Sequence, residues 1–227
     1  MTKISQYFTS MGGIFLQKEE EIARKLKGIK MFLFDWDGVF NMGDKGAGYI
    51  NGFTEADSMG LNLLRLGYWL GHEGELPQVG IITGLNNDSA KYLAERERLN
   101  FVYMGFKNKV EALESIMKKH ELQHHEIAWV FDDVLDLSVA RRTGLRFMVR
   151  RDSSPMFGEF VADSGLADYI TGREGGYHAV REVTELILAL YGTYFDAVKE
   201  RMEYTGRYQG YRKMRNEIIP QLFKKDS

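Results

Sequence analysis

Short apolar segments alternate with stretches of helical periodicity along most of the chain, and this alternation limits the folds open to it. The apolar segments lie at residues 31–34, 79–82, 101–104, 127–131 and 145–149. They are apolar on both faces, which is typical of parallel strands covered by helices on either side. The predicted helices between them lie near residues 57–70, 87–99, 109–120 and 134–143. We therefore expect a doubly wound α/β fold with a mainly parallel sheet, whose functional sites lie at the carboxyl ends of strands.

The length of 227 residues suits one core domain with extensions. We expect an N-terminal helical extension over residues 1–28, a core over 29–192, and a basic, tyrosine-rich helical tail over 193–227. Within these regions, helical spacing predicts a helix over 16–28 and another near 178–200. No apolar run approaches the ~18 residues that span a bilayer, and the N-terminus lacks the apolar core of a signal peptide. A cytoplasmic location is the expectation.

Charge and cysteine content exclude several function classes. The formal net charge is −2, so no global field would hold nucleic acid or an anionic membrane. The chain contains no cysteine, which excludes disulfides, a thiolate nucleophile and cysteine-based metal sites. Any bound anion must therefore be held by a local site.

The sequence D-x-D-G at residues 35–38 directly follows the first predicted strand. Alone it is a weak signal, because Asp and Gly are also favoured in ordinary turns. Three further signals lie at the ends or edges of later segments. They are Thr83 at the end of "IITG", Lys109 at the start of a predicted helix, and Asp132 with Asp133 at the end of "WVFDD".

These side chains complement one another chemically. Carboxylates that converge at strand ends repel each other unless a cation lies among them, and oxygen ligands suit Mg²⁺. A lysine, a threonine hydroxyl and free backbone N–H groups beside the metal would complete a pocket for a phosphoryl group. The pattern indicates a phosphoryl-transfer site.

The order of these motifs resembles that of the haloacid dehalogenase (HAD) superfamily of phosphatases. More narrowly, the chain resembles the capless 3-deoxy-D-manno-octulosonate 8-phosphate (KDO 8-phosphate) phosphatase family over about residues 30 to 190. The segments that carry this resemblance are "FDWDGVF", "EADSMGLNLL", "GIITG", "NKVEAL", "FDDVLDL" and "ADYITGREGGYHAVREVTELIL". The resemblance implies a HAD-like fold without an inserted cap domain. A small β-hairpin flap is expected in the glycine-rich residues 43–52.

The resemblance also implies roles for individual residues. Asp35 would be the nucleophile that forms an aspartyl-phosphate, and Asp37 the general acid and then the general base. Thr83 and Lys109 would hold the phosphoryl oxygens, with Lys107 as a competing candidate for the lysine. The remaining implied contacts are substrate binding by Gly38, Gly84 and Asp57, and Mg²⁺ binding by Asp35, the backbone carbonyl of Asp37, and Asp132, with Asp133 or Asp136 in support.

This chain departs from the family pattern at several substrate-facing positions. Leu85 follows T-G where the family has Arg, and Ala56 precedes Asp57 where Arg is usual. Tyr177 and His178 replace an Arg-Gly pair. The substrate is therefore expected to be a small phosphorylated acid sugar, KDO 8-phosphate or a related octulosonate or nonulosonate phosphate. A homo-oligomer, in this family a tetramer, would cover the open site, with the basic tail on or near a partner.

Alternative interpretations remain open from the residues alone. A receiver-type signalling domain also groups carboxylates, Thr and Lys at strand ends, although in another order. A non-catalytic HAD-like assembly subunit should have damaged motifs, and here all four are intact. His120, His124 and His125 could form a zinc site at a helix end. The tail could pack as an amphipathic helix on its own subunit.

Overall fold

The computed structural model describes residues 2–46 and 51–225. The described strands form one sheet in the order β1-β7-β6-β5-β2-β3-β4-β8. Their bounds are β1 Ile14–Phe15, β2 Met31–Phe34, β3 Gln78–Thr83, β4 Phe101–Met104, β5 Ile127–Phe131, β6 Leu145–Arg150, β7 Tyr169–Glu174 and β8 Gln221–Lys224. Every described pairing is parallel except that of β1 with β7. The predicted mainly parallel α/β fold is confirmed.

Helices cover both faces of this sheet. Their bounds are α1 Lys3–Ser10, α2 Glu19–Leu26, α3 Glu55–Gly71, α4 Asp88–Glu97, α5 Lys109–His120, α6 Leu137–Ala140, α7 Pro155–Asp163, α8 Ala179–Tyr191, α9 Tyr194–Glu203 and α10 Gly206–Asn216. Alternate residues of β2 serve the two layers: Phe32 and Phe34 pack with the α2, α3 and α8 side chains, and Met31 and Leu33 with those of α5 and α7. Both faces are apolar, as the continuous apolar strands predicted.

The helices differ from the predictions at two places. The predicted helix over 134–143 is a 3₁₀ turn, Val134–Asp136, followed by the four-residue α6. The predicted helix near 178–200 is broken between α8 and α9, because Gly192 adopts a left-handed conformation with φ 75° and caps α8. Elements α1, β1, α7 and β7 were not predicted from periodicity, since each is short or mixes apolar with polar residues.

The C-terminal segment is more closely integrated into the domain than a helical tail would be. It contains α9 and α10, as expected, but it ends in β8, which extends the sheet beside β4. Tyr208 and Tyr211 are buried against α3, and the Tyr211 hydroxyl donates to the Asn62 carbonyl at 3.1 Å. For these tyrosines the alternative interpretation, packing on their own subunit, is correct. The strand was missed because its apolar residues are few and it lies at an edge.

Among the described residues, no inserted domain caps the carboxyl edge of the sheet. Between β2 and β3 the described residues contribute only the helix α3, and between β3 and β4 only α4. Residues 47–50 of the predicted flap lie outside the described residues, and the flanking residues 43–46 and 51–54 form no strand. Within residues 2–46 and 51–225, no helix is long and apolar enough to cross a membrane.

Candidate active site

Parallel pairing brings the predicted motif residues to one edge of the sheet. Strands β5, β2 and β3 are neighbours in that order. Asp35 directly follows β2, Thr83 is the last residue of β3, and Asp132 directly follows β5. Since the carboxyl ends of parallel strands share an edge, these side chains converge. Lys109 reaches the same edge from the first position of α5.

Three buried carboxylates form the centre of the site. One oxygen each from Asp35, Asp132 and Asp136 lies within 4.8 Å of the others. The Lys109 ammonium lies between two of them, with Nζ 2.6 Å from Asp35 Oδ1 and 2.5 Å from Asp136 Oδ1. Lys109 is itself buried, whereas Lys107 is exposed. The geometry therefore favours Lys109 over Lys107.

This grouping shifts the pKa values of Asp35, Asp132 and Lys109. Burial and the neighbouring Asp136 raise the pKa of Asp35 well above its usual range, against the opposing effect of Lys109. The same two causes raise the pKa of Asp132 to about 7, although the Arg151 guanidinium opposes them. Burial disfavours the charged form of Lys109, but the Asp35 and Asp136 carboxylates outweigh it and raise the pKa of the ammonium. Lys109 and Arg151 therefore do not cancel the effect of burial on the pKa values of Asp35 and Asp132.

The carboxylate cluster fits a hard divalent cation. Asp132 Oδ1 is buried and has no hydrogen-bond partner in the described part of the chain. Such an oxygen is costly to bury unless it binds a proton or a metal. Three carboxylate oxygens at this separation are the donors that Mg²⁺ and similar ions select. The chemistry of the donor set therefore supports a divalent metal here.

The structure corrects the predicted metal-ligand set at one position. Asp133 is exposed, and its carboxylate accepts a hydrogen bond at 2.6 Å from the Val134 N–H at the start of the 3₁₀ turn. Asp136, which the sequence left as the alternative, lies in the cluster instead. The Asp133 N–H donates to Asp136 Oδ2 at 3.3 Å, so the capping arrangement of this turn directs Asp136 inward and Asp133 outward.

Asp37 and Thr83 are linked by a residue that the sequence analysis missed. Asn87 Nδ2 donates to Thr83 Oγ1 at 2.7 Å and lies 3.3 Å from Asp37 Oδ2. Asp37 also accepts from Asn51 Nδ2 at 2.8 Å and pairs with Lys45 at 2.6 Å. Asn87 stands four residues after Thr83 at the N-cap position of α4. That placement, directly after the T-G motif, is the signal that could have identified it.

The two predicted glycines lie in different surroundings. Gly38 has φ 86°, and a Cβ there would lie 2.0 Å from Asp132 Oδ2. Only glycine allows this approach and this conformation. A Cβ on Gly84 would meet nothing within 4 Å, so this position faces open space. Their contact with substrate remains a prediction.

Similarity to known proteins agrees with this geometry. No protein-family model matches the chain. A structure assigned to subfamily III A of the HAD superfamily hydrolases, from Legionella pneumophila, is 31% identical, with 81% of this chain and 95% of that chain covered and a TM-score of 0.67. The chain belongs to the HAD superfamily.

Curated and structural relatives narrow this assignment to phosphatases. The 3-deoxy-D-manno-octulosonate 8-phosphate phosphatase of Escherichia coli K12 is 28% identical over 177 residues, which cover 76% of this chain and 86% of that protein. The Moraxella catarrhalis enzyme of the same name, solved with magnesium, phosphate and KDO, is 27% identical with a TM-score of 0.65, covering 80% and 98% of the two chains. This HAD protein is a phosphoric monoester hydrolase that is similar to the KDO 8-phosphate phosphatases, so the receiver-domain alternative is wrong.

The structure does not bring Asp57 to the phosphatase site. Its side chain is fully buried at the start of α3, where it accepts from Thr54 Oγ1 at 2.6 Å and from the Arg181 N–H of α8 at 2.9 Å. Burial raises the pKa of this carboxyl despite both hydrogen bonds. The predicted substrate contact is therefore corrected to a structural tie between α3 and α8. Two of the residues that differ from the family pattern are exposed: Tyr177 at 54% and Leu85 at 46%.

The histidine group shows no metal-binding geometry. His124 Nδ1 lies 2.6 Å from the Arg142 carbonyl oxygen, and the His120 ring packs against Phe101. Among the described residues, Asp35, Asp132 and Asp136 form the one group of three or more His, Asp or Glu side chains with ligand atoms close enough to share an ion. The zinc interpretation has no support here.

Proposed function

We propose that this HAD phosphatase is Mg²⁺-dependent and hydrolyses a small phosphorylated acid sugar, KDO 8-phosphate or a related octulosonate or nonulosonate phosphate. The observation that carries this proposal is the buried cluster in which Lys109 bridges Asp35 and Asp136 beside the unpartnered Asp132 Oδ1. The names of the relatives support the substrate class, and the magnesium bound in the Moraxella catarrhalis enzyme supports the metal.

Asp35, Asp132 and Asp136 would hold the metal, with the backbone carbonyl of Asp37 as a further proposed ligand. When bound, the ion supplies positive charge that keeps these carboxylates ionised and neutralises phosphoryl oxygens. Burial raises the pKa values of Asp35 and Asp132, and the charge of a bound ion would oppose that shift and favour the anionic form of Asp35. Lys109 contributes a second, permanent positive charge at the same place.

In the first step, an Asp35 carboxylate oxygen attacks phosphorus, and the bond between phosphorus and the sugar oxygen breaks. The electron pair of that bond goes to the leaving oxygen, which takes a proton from the Asp37 carboxyl group. Thr83 and Lys109 stabilise the charge on the transferring phosphoryl group. The products are the free sugar and an aspartyl-phosphate on Asp35.

In the second step, water attacks the aspartyl-phosphate and the bond from phosphorus to the Asp35 oxygen breaks. The Asp37 carboxylate accepts the proton of the water, which returns both carboxyl groups to their starting states. Hydrogen bonds from Asn51 and Asn87 hold Asp37 for this exchange. Phosphate then leaves the site. Because Asn87 contacts both Asp37 and Thr83, its substitution would misplace both side chains.

A substrate panel tests the proposal. Phosphate release is measured with Mg²⁺ present on KDO 8-phosphate, a nonulosonate 9-phosphate, and neutral hexose and pentose phosphates. A kcat/KM at least about tenfold higher for the acid sugars supports the proposed class, since tenfold reflects about 1.4 kcal/mol of selective transition-state binding. A preference for neutral sugars contradicts the substrate class while leaving the phosphatase assignment in place.

We also propose that copies of this chain assemble, as a tetramer, and thereby cover the site. The support is that no described insertion caps the carboxyl edge, and an open site screens charges and buries little substrate. The basic side chains of α10 that stay exposed are Arg207, Arg212 and Lys213. Charge reversal of all three tests the predicted role of the tail. Unchanged mass by light scattering together with an unchanged KM would exclude that role.

A further inference from the structure

A cavity of about 370 Å³ opens beside the carboxylate cluster. Gly38, Met42, Arg151, Ser153, Glu174 and Tyr177 are among the residues that line it. Gly38 and Arg151 connect the cavity to the cluster, since a Cβ on Gly38 would touch both Asp132 and Arg151. Its volume is in the range of small-molecule sites, about 300–1,000 Å³. The cavity is therefore placed to receive the part of a substrate that lies beyond the reacting phosphoryl group.

Arg151 stands between the cluster and this cavity. Its Nη2 donates to Asp132 Oδ2, and the side chain as a whole is one-third exposed. Its other guanidinium nitrogens make no hydrogen bond to any described residue. Asp132 thus holds the guanidinium with one oxygen, while the opposite oxygen, Oδ1, is the unpartnered one in the cluster. The remaining donors of Arg151 are fixed in place and open to the cavity.

The other charged groups of the cavity are already paired. Arg150 forms an ion pair with Asp152, and Glu174 Oε1 accepts the Asp152 N–H at 2.7 Å. Arg150 uses only Nε in this pair, but among the described cavity-lining residues Arg151 is the arginine that also contacts the carboxylate cluster. A planar guanidinium with two or more free N–H groups matches a carboxylate in a bidentate pair.

We propose that Arg151 is the specificity-determining residue of this site and that it binds the carboxylate of the acid-sugar substrate. This inference rests on the proposed function. The phosphoryl group is served by Thr83, Lys109 and the metal ligands at the strand ends, so the anion left for Arg151 is the second one that an acid sugar carries. Selection arises because a neutral sugar phosphate leaves the guanidinium without this partner.

The test compares Arg151→Gln and Arg151→Lys with Arg150→Gln, the neighbouring arginine that also lines the cavity. Each protein is assayed with KDO 8-phosphate and with sedoheptulose 7-phosphate, a ketose phosphate without a carboxylate. In Arg151→Gln, loss of a charge-assisted pair raises KM for KDO 8-phosphate by about tenfold to a hundredfold while kcat changes by less than about threefold. KM for sedoheptulose 7-phosphate stays within about threefold.

Arg151→Lys and Arg150→Gln test whether the planar guanidinium of Arg151 itself is required for binding the acid sugar. Arg151→Lys keeps the charge without the planar fork, and we expect a KM between those of the parent and Arg151→Gln. Arg150→Gln removes the other cavity-lining guanidinium, and we expect a smaller rise of KM for KDO 8-phosphate than in Arg151→Gln, since Arg150 pairs with Asp152 and Arg151 contacts the carboxylate cluster. Circular dichroism and Mg²⁺ titration by calorimetry establish that each variant is folded and binds metal.

Several outcomes would overturn the inference. An equal rise of KM for both substrates means that Arg151 contacts the phosphoryl group. A fall in kcat with weakened Mg²⁺ binding means that it acts by orienting Asp132. If the parent hydrolyses neutral sugar phosphates but no phosphorylated acid, the proposed substrate class and the role of Arg151 both fail. If the parent accepts the acids and Arg151→Gln behaves as the parent, the role of Arg151 fails alone.

Discussion

Two buried acidic centres lie at opposite edges of the same sheet. At the amino edge, Asp168 precedes β7 and is fully buried. It pairs with Lys25 at 2.6 Å, accepts from Arg146 Nε at 3.0 Å and Nη2 at 3.1 Å, and accepts the Arg146 backbone N–H at 2.8 Å. At the carboxyl edge, the carboxylates of Asp35, Asp132 and Asp136 share the cations Lys109 and Arg151.

The difference lies in how completely the chain neutralises its own charge. One carboxylate with two cations and a backbone donor is satisfied, and a buried ion network of this kind supports only the fold. Three carboxylates with two cations leave charge uncompensated, and one oxygen, Asp132 Oδ1, has no partner among residues 2–46 and 51–225. A protein retains such an arrangement where a cation or a reacting group completes it. Local charge balance therefore distinguishes the structural centre from the reactive one.

The largest expected effect in this comparison comes from the reactive centre. Asp35→Asn removes the proposed nucleophile at nearly constant volume, so we expect kcat to fall by about a thousandfold or more with an unchanged circular dichroism spectrum. Phosphate release is the measurement. Asp133→Asn is the matched control, because Asp133 is exposed and faces away from the cluster. Turnover of Asp35→Asn within tenfold of the parent would contradict the role of Asp35.

Metal removal should abolish turnover at the carboxylate cluster without disturbing the ion pairs of Asp168 at the amino edge. Chelation with EDTA is expected to reduce turnover to background and added Mg²⁺ to restore it, because the cluster needs an external cation. In Asp132→Asn, the affinity for Mg²⁺ measured by calorimetry should fall about tenfold or more, since one ligand charge is lost. Activity that survives dialysis against EDTA would show that Lys109 and Arg151 suffice.

Asp168→Asn is the converse experiment at the amino edge. It leaves Lys25 and Arg146 without their common partner, so the free energy of unfolding should fall by about 3 kcal/mol, the size seen when one member of a buried pair is removed. Urea denaturation measures this loss. Turnover per folded molecule and Mg²⁺ affinity should stay unchanged. A variant that loses activity while keeping its stability would break the distinction between the two centres.

A further prediction concerns how the stability of the metal-free protein depends on pH. The pKa of Asp132 is raised from 3.8 to about 7, so between these values the folded state binds more protons than the unfolded state. The contribution of this group to the free energy of unfolding therefore falls as the pH rises from about 4 to about 7. Urea denaturation in EDTA across this range measures the slope. Asp132→Asn should make it less steep, with groups such as Asp35 and Asp57 contributing the remainder, and an identical slope in both proteins would contradict the assignment to Asp132.

Sequence patterns alone predict the five central strands and the fold class, and they place five motif residues near one edge of the sheet: Asp35, Asp37, Thr83, Lys109 and Asp132. These conclusions depend on local information. A strand that is apolar on both faces must be covered on both faces, and parallel connections place successive carboxyl ends together. The order of the motifs indicated a phosphoryl-transfer site, and the family resemblance implied the phosphatase class.

Which of several neighbouring residues face the cluster depends on the folded arrangement of the chain. Asp133 and Asp136 are both acidic and three positions apart, and the capping geometry of one turn separates them. Asp57 is withdrawn from the site by a hydrogen bond to Arg181, which is 124 residues away along the chain. Arg151 approaches Asp132 because β6 pairs with β5. The C-terminal strand β8 likewise joins the sheet only through its pairing with β4. Side-chain direction and long-range pairing depend on contacts between distant residues, which spacing along the chain does not specify.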